Sequence, residues 1–313
     1  MGNWKIIITD RLDDSGVKVL MDAAQVDQHV GIAHDDLLEL IAAYDALIVR
    51  SRTQVNAEVF SAAANLKVVG RAGVGVDNID LAAANLHNVT VVNSPSATTQ
   101  AVAEHVLALL FSLARSIPTA DNSMKSGLWN KNQLKGIELR DKVIGIIGMG
   151  NIGRSVAQLT RALGMEILGF DPLISEDEIE RRGATPASMQ EIYTQSDFLS
   201  IHVPLNPDTR GMIDGAAFGT MKRGIRLVCA ARGGIIDETA LLGALESGQV
   251  AGAALDVFEQ EPPGMSALVS HPRVIATPHI GAQTFEAQSR AAVDVATEVL
   301  AALRGEPLRW KIV

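Results

Sequence analysis

The chain has 313 residues, enough for two domains of ordinary size, and is 47% hydrophobic against 20% charged, so it can bury a large core. A net charge of −9, spread along the chain, argues against nucleic acid as the main partner, because a phosphate backbone needs a basic face. It leaves room for a small anion held by a few local cations, and the single cysteine, Cys229, in an apolar run, rules out an internal disulfide and reads as a buried reduced thiol.

The N-terminus runs straight into a β-rich stretch at residues 5–9 with no signal-peptide pattern. Met1-Gly2 has Ile6 where a myristoylation signal needs Ser or Thr. No uncharged apolar stretch is long enough to span a bilayer. A soluble, cytoplasmic protein without membrane or nucleic-acid partners is expected.

Short β-rich runs at 5–9, 26–30, 46–50, 67–70 and 89–93 alternate with helical patterns at 13–23, 35–43, 56–63 and 78–85. Such alternation predicts a parallel sheet with helices on both faces. Residues 98–115 read as a long apolar-faced helix with Glu104 and His105 inside it, and 117–139 as looser and polar. A second alternation follows, with strands at 143–147, 165–170, 198–202, 227–230, 251–256 and 274–276. Residues 283–304 form a final helix and 307–313 a short tail. The fold class is therefore α/β, with two doubly wound parallel-sheet domains, whose ligands sit at the carboxyl ends of strands.

The second alternation opens on V-I-G-I-I-G-M-G-N-I-G at 143–153, a G-x-G-x-x-G where a strand turns into a helix. Gly148 allows the tight turn, Gly150 lets a pyrophosphate approach the backbone, and Gly153 lets helix and strand pack closely. The free N–H groups and positive dipole end of the helix face the phosphates. The next strand ends at Asp171, which is 171 − 153 = 18 positions past the last glycine, near the roughly 20-residue spacing of a ribose-binding acid. A carboxylate there repels a 2′-phosphate, and Pro172, Leu173 and Ile174 bring no cation, so NAD is expected rather than NADP.

Three polar residues punctuate later strand ends. Arg232, flanked by Gly233 and Gly234, can clamp a carboxylate through two parallel hydrogen bonds. Glu261 follows the strand ending at Asp256, and His279 stands between Pro278 and a glycine-containing turn. Glu261 and His279, each taken alone, read equally well as ordinary loop residues. Together they supply the acid, base and anion clamp that hydride transfer at a hydroxy acid requires.

At this point the chain resembles a known family, the D-specific 2-hydroxyacid dehydrogenases. The matching stretches run nearly end to end: V-R-S at 49–51, G-R-A-G-V-G-V-D-N-I-D at 70–80, A-E-H at 103–105, the 148–153 loop, H-V-P-L at 202–205, A-R-G-G-I-I-D at 231–237, A-L-D-V-F-E at 254–259 and P-H-I-G at 278–281. The resemblance implies a Rossmann NAD domain, 98–287, inserted into a flavodoxin-like substrate domain made of 1–97 and 288–313. It implies that His279 is the catalytic acid/base, that Glu261 pairs with it, and that Arg232 binds the substrate carboxylate. Along the cofactor it implies Asn151 and Ile152 at the pyrophosphate, Asp171 at the ribose, and Val74, His202, Pro204, Thr209, Ala230, Ala231, Arg232, Asp256, His279, Gly281 and Ala282 around the remainder.

For substrate it implies Arg50, Ser51, Arg71, Val74 and Gly75 beside Arg232 and His279. Arg50 and Arg71 both lie at strand ends, where they can take a phosphate, and Arg52 lies nearby. The expected reaction is NAD-dependent oxidation of D-3-phosphoglycerate at C2, the first step towards serine. A glyoxylate or hydroxypyruvate reductase is the alternative, and a non-catalytic NAD-sensing corepressor of the same fold a third reading. A homodimer is implied, with Lys131 matching a basic position that reaches a neighbouring subunit. No metal is expected. Cys229 and Thr98 stand where relatives often have Asn, and the end at Val313 implies a short form without a C-terminal regulatory domain.

Overall fold

The computed structural model describes residues 4–313; Met1-Gly2, read above for a myristoyl acceptor, lies outside them. The chain divides into two compact units, one of residues up to Thr99 together with Ala282–Val313, the other of Gln100–Gly281.

The first unit runs β1 (Lys5–Ile8), α1 (Asp14–Met21), β2 (Gln25–Gln28), α2 (His34–Leu40), β3 (Ala46–Val49), α3 (Ala57–Ala62), β4 (Val68–Arg71), α4 (Leu81–Leu86) and β5 (Thr90–Asn93). The strands are parallel in the order β2-β1-β3-β4-β5, which reverses direction between β1 and β3. Because successive side chains point to opposite faces, Ile6, Ile8, Ala46, Ile48 and Val68 join one core while Ile7, Leu47, Val49 and Val69 join another. Both faces are covered, so these strands read as unbroken apolar runs.

The second unit takes up α5 (Thr99–Arg115), α6 (Ile117–Lys125), β6 (Val143–Ile147), α7 (Asn151–Ala162), β7 (Glu166–Phe170), α8 (Glu176–Arg181), β8 (Thr185–Pro186) and α9 (Met189–Gln195). It continues through β9 (Phe198–Ile201), α10 (Gly215–Thr220), β10 (Ile225–Cys229), α11 (Glu238–Glu246), β11 (Val250–Leu255) and β12 (Val274–Ala276). Its parallel sheet has the order β12-β11-β10-β9-β6-β7-β8, reversing between β6 and β9. Helix α12 (Phe285–Arg304) returns to the first unit, where Ala292, Val295, Ala296 and Val299 pack on the face of Ile6 and Ile8. Glycines permit that packing: a Cβ at Gly16 would lie 2.5 Å from the Ala292 carbonyl oxygen, and one at Gly70 2.5 Å from Val299 Cγ2.

Two elements depart from expectation. The stretch read as loose and polar contains α6, which carries Pro118 in its first turn and buries no residue; its few large apolar side chains, Ile117 and Met124, are exposed among polar neighbours. The two-residue strand β8 on the sheet edge is too short to show any alternation. The short tail is held in place by backbone hydrogen bonds. Ile312 N–H donates to the Val91 carbonyl and Val91 N–H to that of Val313, so the tail pairs with β5. Buried Glu298 on α12 accepts from the N–H groups of Arg309 and Trp310 at 2.9 and 3.1 Å.

Candidate active site

Ligands of doubly wound sheets bind outside the carboxyl ends of the strands, at the point where strand order reverses. In the second unit that point lies between β6 and β9, and the glycine loop leaves β6 there. Gly148 has φ +90°, and a Cβ on it would lie 2.6 Å from the His202 carbonyl oxygen at the end of β9. A Cβ at Gly153 would collide with the Gly148 carbonyl oxygen, so α7 starts tight against β6. A Cβ at Gly150 would meet nothing within 4 Å, and Gly150 begins α7 with no side-chain cap. Open space in front of an uncapped helix start suits a pyrophosphate, so these residues fit a dinucleotide.

Asp171 follows β7 and braces this loop. Its two oxygens accept the backbone N–H groups of Met149 at 2.9 Å and Leu173 at 3.0 Å. Arg182, which the sequence did not single out, donates to the Met149 carbonyl at 2.7 Å. Glu178 binds the same guanidinium at 2.7 Å and offsets its charge.

On the other side of β6, His202 follows β9 with Nε2 2.8 Å from Ser200 Oγ. Burial drives its pKa down to about 4, so it brings no positive charge at neutral pH. The loop beyond it is tied by Thr209, whose hydroxyl donates to the Pro204 carbonyl at 2.6 Å. Cys229, the last residue of β10, is pushed up to about 11 by burial, which makes it a packing thiol rather than a nucleophile.

Arg232, Glu261 and His279 leave the ends of β10, β11 and β12, three neighbouring strands. The half-buried Ala230 and Ala231 lead into Arg232, whose Nη1 donates to the Ala231 carbonyl at 2.6 Å. A Cβ at Gly233 would collide with the Phe258 carbonyl oxygen, so this turn lies directly on the loop that carries Glu261. Glu261 accepts the Phe258 N–H through Oε1 at 3.1 Å and lies 2.7 Å from His279 Nδ1 through Oε2. Burial raises the Glu261 pKa, but the His279 hydrogen bond and charge outweigh it and hold the carboxyl below its ordinary range. With Nδ1 committed to Glu261, Nε2 is the nitrogen left to exchange a proton with a ligand.

Asp256 is the buried member of this group. It accepts from Thr277 Oγ1, Ile280 N and Gly281 N at 2.5, 2.9 and 2.8 Å. The contacts of Asp256 with Thr277 and His105, and of Phe258 with Glu261, join residues distant in sequence or backbone groups, and no motif points to them.

The first unit holds the remaining candidates, including Val74 and Ala282. Arg50 and Ser51 follow β3 and Arg71 ends β4, with Val49 in register with Arg71. Asp10, buried after β1, organises the turn beyond β3. It accepts from Arg50 N, Thr53 N, Thr53 Oγ1 and Arg52 Nε at 2.7, 3.2, 2.7 and 3.2 Å. Asn78 clamps the same turn by donating to the carbonyls of Arg50 and Thr53. A Cβ at Gly73 would collide with the Arg71 guanidinium, which therefore folds over that loop. Asn93 fixes the adjoining Val74-Gly75 backbone through the Val74 carbonyl at 2.6 Å. Among the described residues no group of three or more His, Cys, Asp or Glu is placed to hold a metal ion. No single helix among them is long and apolar enough to cross a membrane; α5 and α6 pass only as a pair bent by 66°.

Comparison with known proteins places this geometry in a family. Residues 107–281, more than half of the chain, match the model described as "D-isomer specific 2-hydroxyacid dehydrogenase, NAD binding domain". The chain is 43% identical over 305 residues to a D-3-phosphoglycerate dehydrogenase of Synechocystis and 44% over 308 residues to that of Bacillus subtilis, in each case over 97% of its own length. It spans little more than half the length of these relatives, 55% and 58%. A crystal structure of a glyoxylate reductase from Paecilomyes thermophila is 30% identical, with a TM-score of 0.91 over 100% of this chain and 99% of that one. The chain belongs to the D-isomer specific 2-hydroxyacid dehydrogenase family, and the 107–281 region is that family's NAD-binding domain.

Proposed function

We propose that this protein oxidises D-3-phosphoglycerate to 3-phosphohydroxypyruvate with NAD, the first step towards serine. The observation that carries the chemistry is the His279–Glu261 pair, 2.7 Å apart, beside Arg232 on three adjacent strand ends of the NAD-binding sheet. Arg232 takes the substrate carboxylate as a two-pronged donor. His279 Nε2 takes the C2 hydroxyl proton, and Glu261 steadies the cation that forms. NAD, when bound, supplies the acceptor for the hydride that leaves C2.

The second unit then carries the cofactor, along the glycine-loop residues Gly148, Gly150, Asn151, Ile152 and Gly153 and the neighbouring strand ends, and the first unit recognises the substrate. Arg50 and Arg71, on adjacent strand ends, are the cations for its phosphate. The names of the curated relatives support this substrate, while the glyoxylate reductase match supports a reductase of small unphosphorylated acids as the second reading. We further propose a homodimer, supported by the exposed apolar side chains on and after α6. A cytoplasmic setting belongs to the same proposal and is supported by the free, buried thiol of Cys229.

The test is a substrate panel read by NADH absorbance, run on wild type, Arg50→Ala and Arg71→Ala. A charge-assisted hydrogen bond contributes about 1.5–3 kcal/mol, so each loss is expected to raise KM for 3-phosphohydroxypyruvate roughly ten- to a hundredfold. KM for hydroxypyruvate and glyoxylate is expected to stay nearly unchanged. Equal losses on both classes, or a wild type that prefers the unphosphorylated acids, would give the site to the second reading.

A further inference from the structure

His105 sits on the buried side of α5, among Val102, Ala103, Val106 and Leu109, and its side chain is only 16% exposed. A histidine in such a place is ordinarily a core residue with its hydrogen bonds met. This one reaches out of its helix to the turn that carries His279. Its Nε2 lies 3.2 Å from Thr277 Oγ1 and 3.3 Å from Asp256 Oδ1. Its ring also lies against Gly281, where an added Cβ would be 3.7 Å from His105 Cδ2.

The turn needs holding. His279 has φ +51°, a left-handed backbone that a residue with a Cβ adopts only when its surroundings enforce it. Asp256 does the enforcing: it accepts the N–H groups of Ile280 and Gly281 and the hydroxyl of Thr277, so it grips the turn on both sides of His279. A buried carboxylate is stable only if its donors are complete. Three donors come from the turn itself and the fourth, His105, from another element. Since the Thr277 hydroxyl gives its proton to Asp256, it faces His105 as an acceptor, and Nε2 therefore carries a hydrogen directed at both oxygens. Glu261 is pinned separately, through the Phe258 N–H. The imidazole thus meets Glu261 only while the Asp256 clamp keeps its shape.

We propose that His105 is a positioning residue for His279, acting through Asp256 and Thr277 to fix the turn that presents the imidazole. The inference rests on the reading of His279 as the acid/base. A small misplacement of a reacting group lowers the rate of the chemical step. Most of the cofactor affinity should be spared, because the pyrophosphate loop leaves β6 and is braced by Asp171 and Arg182, so that only the cofactor's far end, along Asp256 and Gly281, meets this clamp.

The test uses the full chain as wild type, His105→Ala, His105→Gln, His279→Ala and the His105→Ala/His279→Ala pair. Turnover is followed with NADH and whichever of 3-phosphohydroxypyruvate or hydroxypyruvate the wild type reduces faster, and NADH affinity by its fluorescence. His105→Ala is expected to lose roughly tenfold in kcat, the effect of one hydrogen bond on a positioned group. NADH affinity is expected to stay within about twofold of wild type. His105→Gln, which keeps an N–H donor, is expected to recover most of the loss. In the His279→Ala background, His105→Ala should add less than about twofold, because residues acting as a unit are not additive. Unchanged kcat in His105→Ala alongside an inactive His279→Ala overturns the positioning role alone. Loss of NADH binding together with turnover, or full additivity, assigns His105 to plain core packing. Near-normal turnover in His279→Ala removes the reading of the site, and the inference with it.

Discussion

Asp256 and Asp171 show how much a single carboxylate can organise at a strand end. Burial raises the pKa of Asp256, but hydrogen bonds from His105, Thr277 and the N–H groups of Ile280 and Gly281 outweigh it and bring it below its ordinary value of 3.8. A carboxyl that ionises more readily folded than unfolded adds stability above the unfolded pKa, and that stability is lost as pH falls through the folded one. Asp256→Asn is therefore expected to lose about 1–3 kcal/mol at neutral pH, as donors in the turn lose their charged acceptor. Its melting temperature should also fall less steeply than that of wild type as pH drops below the ordinary Asp value. A variant whose melting curve against pH runs parallel to wild type would show that Asp256 is not the titrating group. Asp171 makes a different prediction. It braces the glycine loop through Met149 N–H, and in the proposed role at the ribose it would carry the charge that a 2′-phosphate has to approach. Asp171→Ala should weaken NAD binding and relax discrimination against NADP, read as the ratio of kcat/KM for the two cofactors. Wild-type protein that uses both equally well would remove the ribose argument.

At the scale of elements, the glycine loop separates packing from ligand contact. Gly153→Ala drives a Cβ into the Gly148 carbonyl oxygen, which is backbone and cannot swing aside. Such overpacking typically costs about 1–3 kcal/mol, and the α7 start must move, so both melting temperature and NADH affinity should fall. Gly150→Ala meets open space instead. It should lose NADH affinity while keeping most of its stability, and a fall in melting temperature as large as that of Gly153→Ala would contradict this division. The same contrast explains what could be read without coordinates. Strands buried on both faces, such as Ile6-Ile7-Ile8 and Ala46–Val49, announce themselves as apolar runs, and turn glycines announce the loop between β6 and α7. Helix α6 is short, proline-bearing and mostly polar, and β8 has two residues, so neither stands out in the sequence. Glu261 and His279 were visible as polar residues after strands, but their hydrogen bond depends on β11 and β12 lying side by side. The approach of His105 to Thr277, 172 positions away, depends on how α5 packs, which no local pattern encodes.

The largest scale concerns what the surface of the second unit is for. Phe111 on α5, Ile117 and Met124 on α6, and Leu128 and Trp129 just beyond are all exposed, Met124 at 56% and Trp129 at 78%. Single exposed apolar residues need no explanation, but a run of them within one short stretch marks a surface suited to another protein. Helix α6 has no buried residue, so within the isolated chain its apolar side chains gain little from folding. A second copy of the chain is the simplest occupant, since a self-complementary interface closes into a twofold dimer. Lys131 follows closely on Trp129, so a copy seated on this stretch would also bring a cation to its neighbour. Light scattering on the purified protein at micromolar concentration is expected to give twice the chain mass of 33.2 kDa. Met124→Asp combined with Trp129→Asp places two charges in the patch without touching a buried side chain. Burying an unpaired charge is strongly unfavourable, so the double variant should be monomeric while retaining its circular dichroism. If Lys131 serves the neighbouring site, the same variant should raise KM for 3-phosphohydroxypyruvate more than for hydroxypyruvate. A wild type of single-chain mass, or a double variant that remains dimeric, would assign the exposed stretch to a different partner.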